Sequence, residues 1–155
     1  MNQQAVPPPP DIVRSAYAEL VVTDLARAQW FWVEVLGFVV TEASPGALYL
    51  RGYDELTHHN LILREGPEAA NGRLGFRVRT HADLDRAVAF YRHLDCRTVR
   101  VPAGTTPGIG EAVRVEDPLG FTVEFFHEAA LAERLQQRYD LRQIGRATSE
   151  LQSPC

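Results

Sequence analysis

The sequence predicts an α+β domain of two βαβββ modules with a C-terminal helix, and three observations carry that prediction. Residues 24–32 and 83–91 both read Asp-Leu-x-Arg-Ala-x-x-Phe-aromatic, at an offset of 59 residues, so one supersecondary unit occurs twice. Each copy follows a run of β-formers in which apolar and polar residues alternate, the period of a half-buried strand. After each copy come three further β-rich runs, separated by glycine and proline turns.

The elements follow in order. Residues 1–12 form a proline-rich arm. Pro7, Pro8, Pro9 and Pro10 lack backbone donors and favour an extended, polyproline-like course. The folded core then runs over 13–141. In the first strand, over about 16–22, Leu20 and Val22 alternate with Val21 and Thr23. The first helix, about 24–36, places Leu25, Ala28, Phe31 (or Trp32) and Val35 on one face. Thr23 or Asp24 can cap it, and Gly37 ends it, because glycine reaches the left-handed conformation at little cost. Of Trp30 and Trp32, one should face the core and the other a partner. Strands over about 38–43, 47–52 and 59–64 complete the first module, with Ser44-Pro45-Gly46 as a turn.

In the second module, a strand over 74–78 precedes a helix over 83–94 that aligns Leu84, Ala87, Phe90 (or Tyr91) and Leu94. Thr80 and Asp83 have the spacing of a capping box. Strands over 97–102, 111–116 and 122–127 follow. Gly104 to Gly110 reads as a loop, and Asp117-Pro118-Leu119-Gly120 as a tight turn. A last helix over about 129–139 spaces Leu131, Leu135 and Tyr139 to cover a sheet or a neighbouring domain. The polar stretch 142–155 is expected to be a flexible tail.

Composition excludes several classes. The net charge of −4 and the scattered single arginines argue against nucleic-acid and membrane partners. Cys96 and Cys155 make neither a CxxC pair nor a Cys/His cluster, so neither a zinc site nor a disulfide framework is expected. There is no signal-peptide pattern and no apolar run near the ~18 residues of a membrane span, so a cytoplasmic location is expected. No GxSxG, Walker A or GxGxxG motif occurs.

Thr23-Asp24-Leu25, Leu36-Gly37-Phe38 and the run from Asp117 to Glu124 resemble the vicinal oxygen chelate superfamily, which includes glyoxalase I, extradiol dioxygenases, and bleomycin- and fosfomycin-resistance proteins. Its fold is the paired βαβββ module. Further stretches resemble the N-terminal half of homoprotocatechuate (3,4-dihydroxyphenylacetate) 2,3-dioxygenases. They are Pro10 to Arg14, Leu20 to Leu25, His58 to Leu61, Gly108 to Gly110, Val113 to Phe121 and Gln137 to Leu141. The resemblance implies enzymes about twice this length, whose iron is held by two His and one Glu in a second half beginning where this chain stops. It implies a domain with no catalytic residue and no cofactor of its own. Fe(II) or Mn(II) and the catechol would belong to the full-length enzyme, and the partners would be a C-terminal catalytic domain and like subunits in a homo-oligomer. Two alternatives stay open: a stand-alone metal-dependent enzyme like glyoxalase I, and a metal-free binder of small molecules like the bleomycin-resistance proteins.

The resemblance also marks where a metal would sit. Its first-strand histidine position aligns with Tyr17, the counterpart in the second module with Arg73, and its final-strand glutamate with Glu124. Tyrosine titrates near ~10 and arginine is a permanent cation, so neither suits Fe(II), which prefers two histidines and one carboxylate. These three positions and His59 are read as vestigial, with Arg73 the expected ion-pair partner of Glu124. The nearest substitute site is His58-His59 with Glu124. Neighbours on a strand point to opposite faces, so only one of the two histidines could join it. His127 should face away from Glu124.

Overall fold

The computed structural model describes residues 5–135. Eight strands form one mixed sheet in the order β2-β3-β4-β1-β5-β8-β7-β6. The first module is β1 (Ile12–Val22), α1 (Leu25–Gln29, continued by a π-helical stretch, Trp30–Val35), β2 (Val39–Ser44), β3 (Ala47–Arg51) and β4 (Leu61–Glu65). The second is β5 (Ala70–Val78), α2 (Ala82–His93), β6 (Thr98–Val101), β7 (Ala112–Glu116) and β8 (Thr122–Phe126). In each module the first strand lies parallel to the last, β1 beside β4 and β5 beside β8. An antiparallel β1/β5 pair joins the two halves. The 59-residue repeat is thus a repeat of structure. Every expected strand is present, and β1 and β5 start about four residues earlier than the alternation indicated.

Among the described residues, both helices cover one face of the sheet and the other face carries none. Under α1 lie Leu48, Leu50, Leu61 and Leu63, packed by Leu25, Ala28, Trp32 and Val33. Under α2 lie Val78, Val113, Val115 and Phe125, packed by Leu84 and Ala87 of the helix. The other face buries Tyr17, Ala47, Tyr49, Ile62, Ala112 and Phe126. Strand alternation produces this division: in Leu61-Ile62-Leu63 the leucines face α1 and the isoleucine faces away.

Two helix expectations need correction. The first helix does not stay α-helical. The Leu36 amide donates to the Phe31 carbonyl, five residues back, and the wider turn brings Trp32 and Val33 to the core instead of Phe31 and Val35, which are about half exposed. Trp32 is the core tryptophan, and Trp30 faces outward. The expected last helix is absent over 129–135, where Ala129 and Leu131 instead make isolated β-bridges to Ile109 and Thr57. Its remaining residues, 136–139, and the expected tail lie outside the described residues. The stretch 128–133 is instead hydrogen-bonded on both sides. Gly110 N donates to Glu128 O (2.9 Å) and Ala130 N to Gly108 O (2.7 Å). On the other side His58 N donates to Ala130 O (2.9 Å) and Ala132 N to Leu56 O (2.8 Å). Arg51, itself buried, donates to the Glu133 carbonyl at 2.8 Å. These partners use the backbone groups that an α-helix would need. The stretch forms a strap over the face away from the helices, where Ile109 and Ala129 pack on the buried cluster.

Capping follows the local chemistry. Asp24 accepts from the Arg27 amide at 2.9 Å. Asp83 accepts from the Thr80 amide (2.9 Å) and from the Thr80 hydroxyl (2.7 Å). Only the return half of a capping box therefore forms. Asp83 also receives the Asp11 amide, so it ties the arm to α2 just before β1.

Candidate functional site on the helix-free face

The helix-free face is polar at its centre because five adjacent strands each contribute one charge. In sheet order they are Arg64 on β4, Glu19 on β1, Arg73 on β5, Glu124 on β8 and Arg114 on β7. Glu19 takes two hydrogen bonds from Arg64 at 3.2 Å and pairs with Arg73 at 2.9 Å. Glu124 pairs with Arg114 at 2.5 Å and with Arg73 at 3.8 Å. The signs alternate across the row, so each carboxylate lies between two guanidinium groups. An unpaired charge buried here would cost several kcal/mol, at least roughly 3.

Glu124 has no exposed surface. Besides the arginines, the Tyr17 hydroxyl donates to its Oε1 at 2.6 Å and the Thr106 hydroxyl does so at 3.3 Å. The Arg114 Nη2 also donates to the Thr106 hydroxyl, closing the network. Tyr17 on β1 reaches Glu124 on β8 only by crossing β5. Register puts Tyr17 opposite Gly75 and Gly75 opposite Glu124. A Cβ on Gly75 would stand 2.0 Å from Tyr17 Cε1, so the missing side chain is the gap through which the ring passes. Burial, and then the negative charge of Glu124, push the Tyr17 hydroxyl far above its ordinary value, so it stays a protonated donor.

His59 is buried beside this network, its ring 5.0 Å from that of Tyr17 and 5.4 Å from that of Tyr49. Burial, with help from the neighbouring His58, pushes its imidazole down to about 4, so it is neutral at ordinary pH. Its Nδ1 lies 3.0 Å from the Nδ1 of His58, whose Nε2 meets Glu42 Oε2 at 3.1 Å. The His59 Nε2 is buried without a hydrogen-bond partner.

Residues 14–125 match the family described as the Glyoxalase/Bleomycin resistance protein/Dioxygenase superfamily. The chain belongs to this superfamily. A structure of a homoprotocatechuate 2,3-dioxygenase variant from B. fuscum superposes with a TM-score of 0.82 at 54% identity, covering 89% of this chain and 38% of that one. The metapyrocatechase of Geobacillus stearothermophilus is 29% identical over 121 residues, 76% of this chain and 36% of that protein. The manganese-dependent 2,3-dihydroxybiphenyl 1,2-dioxygenase of Geobacillus genomosp. 3 is 20% identical over 118 residues, 76% of this chain and 38% of that protein. The chain is homologous to extradiol dioxygenases and spans somewhat over a third of the length of each of these relatives.

Within this superfamily member, Tyr17, Arg73 and Glu124 do come together, and Arg73 contacts Glu124 as expected. It is not the nearest cation, which is Arg114. The histidine expectation needs correction. His58 and His59 precede β4 rather than lie in it, so strand alternation does not apply, and their rings meet edge to face at 5.2 Å. The Glu124 oxygens are taken by Tyr17, Thr106 and the arginines. His127 likewise lies beyond its strand, β8, and its Nδ1 is 3.3 Å from the Val78 carbonyl. As a donor set for a divalent metal the three aligned positions fit poorly. One is a guanidinium, one a phenol held protonated, and the one carboxylate is flanked by two cations. Among the described residues, no group of three or more His, Cys, Asp or Glu side chains is arranged to hold a metal ion.

Sequence reasoning missed Glu19, Arg64, Gly75, Thr106 and Arg114. Arg114 had a visible signal, since it stands between Val113 and Val115 and so shares a face with the polar side of β7. That it lies opposite Glu124 depends on the β7/β8 register, which no local pattern states.

Proposed function

We propose that this chain is the N-terminal, metal-free domain of an extradiol ring-cleaving dioxygenase of the homoprotocatechuate 2,3-dioxygenase type, acting in aromatic catabolism as a structural and oligomerisation unit. Its partners are a catalytic domain and like subunits in the cytoplasm. The Fe(II) or Mn(II) and the catechol belong to that catalytic domain.

The observation that carries this reading is the occupation of the final-strand carboxylate. Glu124 is buried, accepts from the Tyr17 hydroxyl at 2.6 Å, and is ion-paired to Arg114 at 2.5 Å and to Arg73 at 3.8 Å. A divalent cation could take this carboxylate only by displacing two positive charges already there and by removing the proton from a phenol that burial and Glu124 hold on it. What the domain offers instead is a rigid sheet with large apolar side chains at its surface, Trp30, Phe31 and Val35 on the first helix and Leu119 and Phe121 at the β7–β8 turn. Surfaces of this kind suit contact with further domains.

The test is a ring-cleavage assay on the purified chain, supplied anaerobically with Fe(II) or Mn(II) and then with 3,4-dihydroxyphenylacetate and O2. The reading expects no coloured ring-opened product above the metal-only control. Turnover that disappears in a Glu124→Ala variant would refute it.

A further inference from the structure

The two histidines left outside the charged network form a directed hydrogen-bond chain. Glu42 Oε2 stands 3.1 Å from His58 Nε2, and a carboxylate beside an imidazole nitrogen calls for a proton on that nitrogen. In neutral His58 the other nitrogen, Nδ1, is then an acceptor. It faces His59 Nδ1 at 3.0 Å, and two facing nitrogens share one proton, so His59 must donate it. That choice leaves His59 Nε2 as a bare acceptor. His59 is 3% exposed, and this nitrogen is buried with no hydrogen-bond partner among the described residues. A buried acceptor without a donor is costly, because it gives up its hydration and gains no bond in return.

The nitrogen is not walled in by apolar groups alone. His58 and His59 line a cavity of ≈ 10 Å³ together with Thr57, Arg14, Arg77 and Phe126, and Ile109 and Ala129 close it under the strap. That volume is on the order of what one water molecule needs. The lining has the polarity a water requires, since guanidinium groups donate and a hydroxyl and an imidazole nitrogen accept. Thr57 has capacity to spare, because its hydroxyl makes only a 3.5 Å contact with the His59 carbonyl.

We propose that Glu42, His58 and His59 form a relay that fixes His59 as the Nδ1–H tautomer and holds one buried water molecule on its Nε2, beneath the 128–133 strap. The water donates to the imidazole and accepts from a guanidinium, so each partner is satisfied. The relay then joins Glu42, whose side chain is 45% exposed, to the interior of the helix-free face. It lies beside the Glu124 network without sharing a hydrogen bond with it, and it requires no metal.

Nitrogen NMR of the full chain, labelled at its histidines and recorded at neutral pH, reads the tautomer directly. A His59 with protonated Nδ1 and unprotonated Nε2 is expected. The Glu42→Lys variant changes an exposed side chain and is expected to fold. It removes the acceptor and offers His58 Nε2 only donors, so the tautomer of His59 should shift towards Nε2–H. A crystal structure of the wild-type chain should place one water within hydrogen-bonding distance of His59 Nε2. A doubly protonated or Nε2–H imidazole in the wild type, a His59 tautomer unchanged by Glu42→Lys, or an empty cavity would each overturn the proposal.

Discussion

At the scale of single residues, the helix-free face is governed by Glu124. A carboxylate with no exposed surface is tolerable because two guanidinium groups, a phenol and a hydroxyl surround it. Removing it leaves Arg114 without its carboxylate, Arg73 with Glu19 alone, and the Tyr17 hydroxyl without an acceptor. Glu124→Ala should therefore lower unfolding free energy by about 3–5 kcal/mol in urea titrations, and Glu124→Gln by less. Gly75 makes the Tyr17 contact possible. Gly75→Ala puts a methyl group where the ring lies, and a loss of about 1–3 kcal/mol is expected. A Gly75→Ala variant as stable as the wild type would show that Tyr17 can take another course at no cost. His59 supplies a pH signature. Its imidazole is lowered from 6.5 to about 4 in the fold, so between these values the unfolded chain binds the extra proton. Stability should be full above pH 6.5, decline as pH falls towards 4, and gain no further loss from this group below that. Replacing His59 with Asn should remove this part of the slope in pH-dependent urea titrations.

At the scale of elements, chain capping and backbone pairing decide what sequence periodicity leaves open. The Thr80 hydroxyl, seconded by the Thr80 and Asp11 amides and by Arg86, holds Asp83 down to about 2 from 3.8. A lowered carboxyl stabilises the fold above its unfolded value and loses that contribution as pH falls through the folded one. Acid titration should thus show a decline between about pH 4 and pH 2 that Asp83→Asn flattens. The α2 helix was legible because Leu84, Ala87 and Tyr91 keep α-helical spacing against the sheet. The first helix was legible as a helix, but its π turn was not. A wider turn is chosen by how Trp32 and Val33 pack, and Phe31 and Trp32 are both acceptable core residues on paper. The strap misled for a related reason. Leu131 and Leu135 have helical spacing, but Gly108, Gly110, His58 and Leu56 offer the 128–133 backbone partners from two distant loops. Those partners outweigh the weak helical preference of so short a stretch.

At the scale of the whole molecule, the architecture was readable because it is doubled. One repeated helix signature, with a strand before and three after, fixed both modules, and the pairing of β1 with β5 completes the sheet. The row of alternating charges was not readable. Arg64, Glu19, Arg73, Glu124 and Arg114 are up to 105 residues apart in the chain, and only the strand order β4-β1-β5-β8-β7 aligns them. The same order places a guanidinium on each side of the final-strand glutamate, which is the ground for proposing that this domain holds no metal there. The most direct test is metal stoichiometry. The purified chain is dialysed anaerobically against excess Fe(II), then against metal-free buffer, and its metal content is measured by mass spectrometry. Wild type and Glu124→Ala should both retain far less than one equivalent, at the same level. One equivalent of iron held by the wild type and lost in Glu124→Ala would contradict the account.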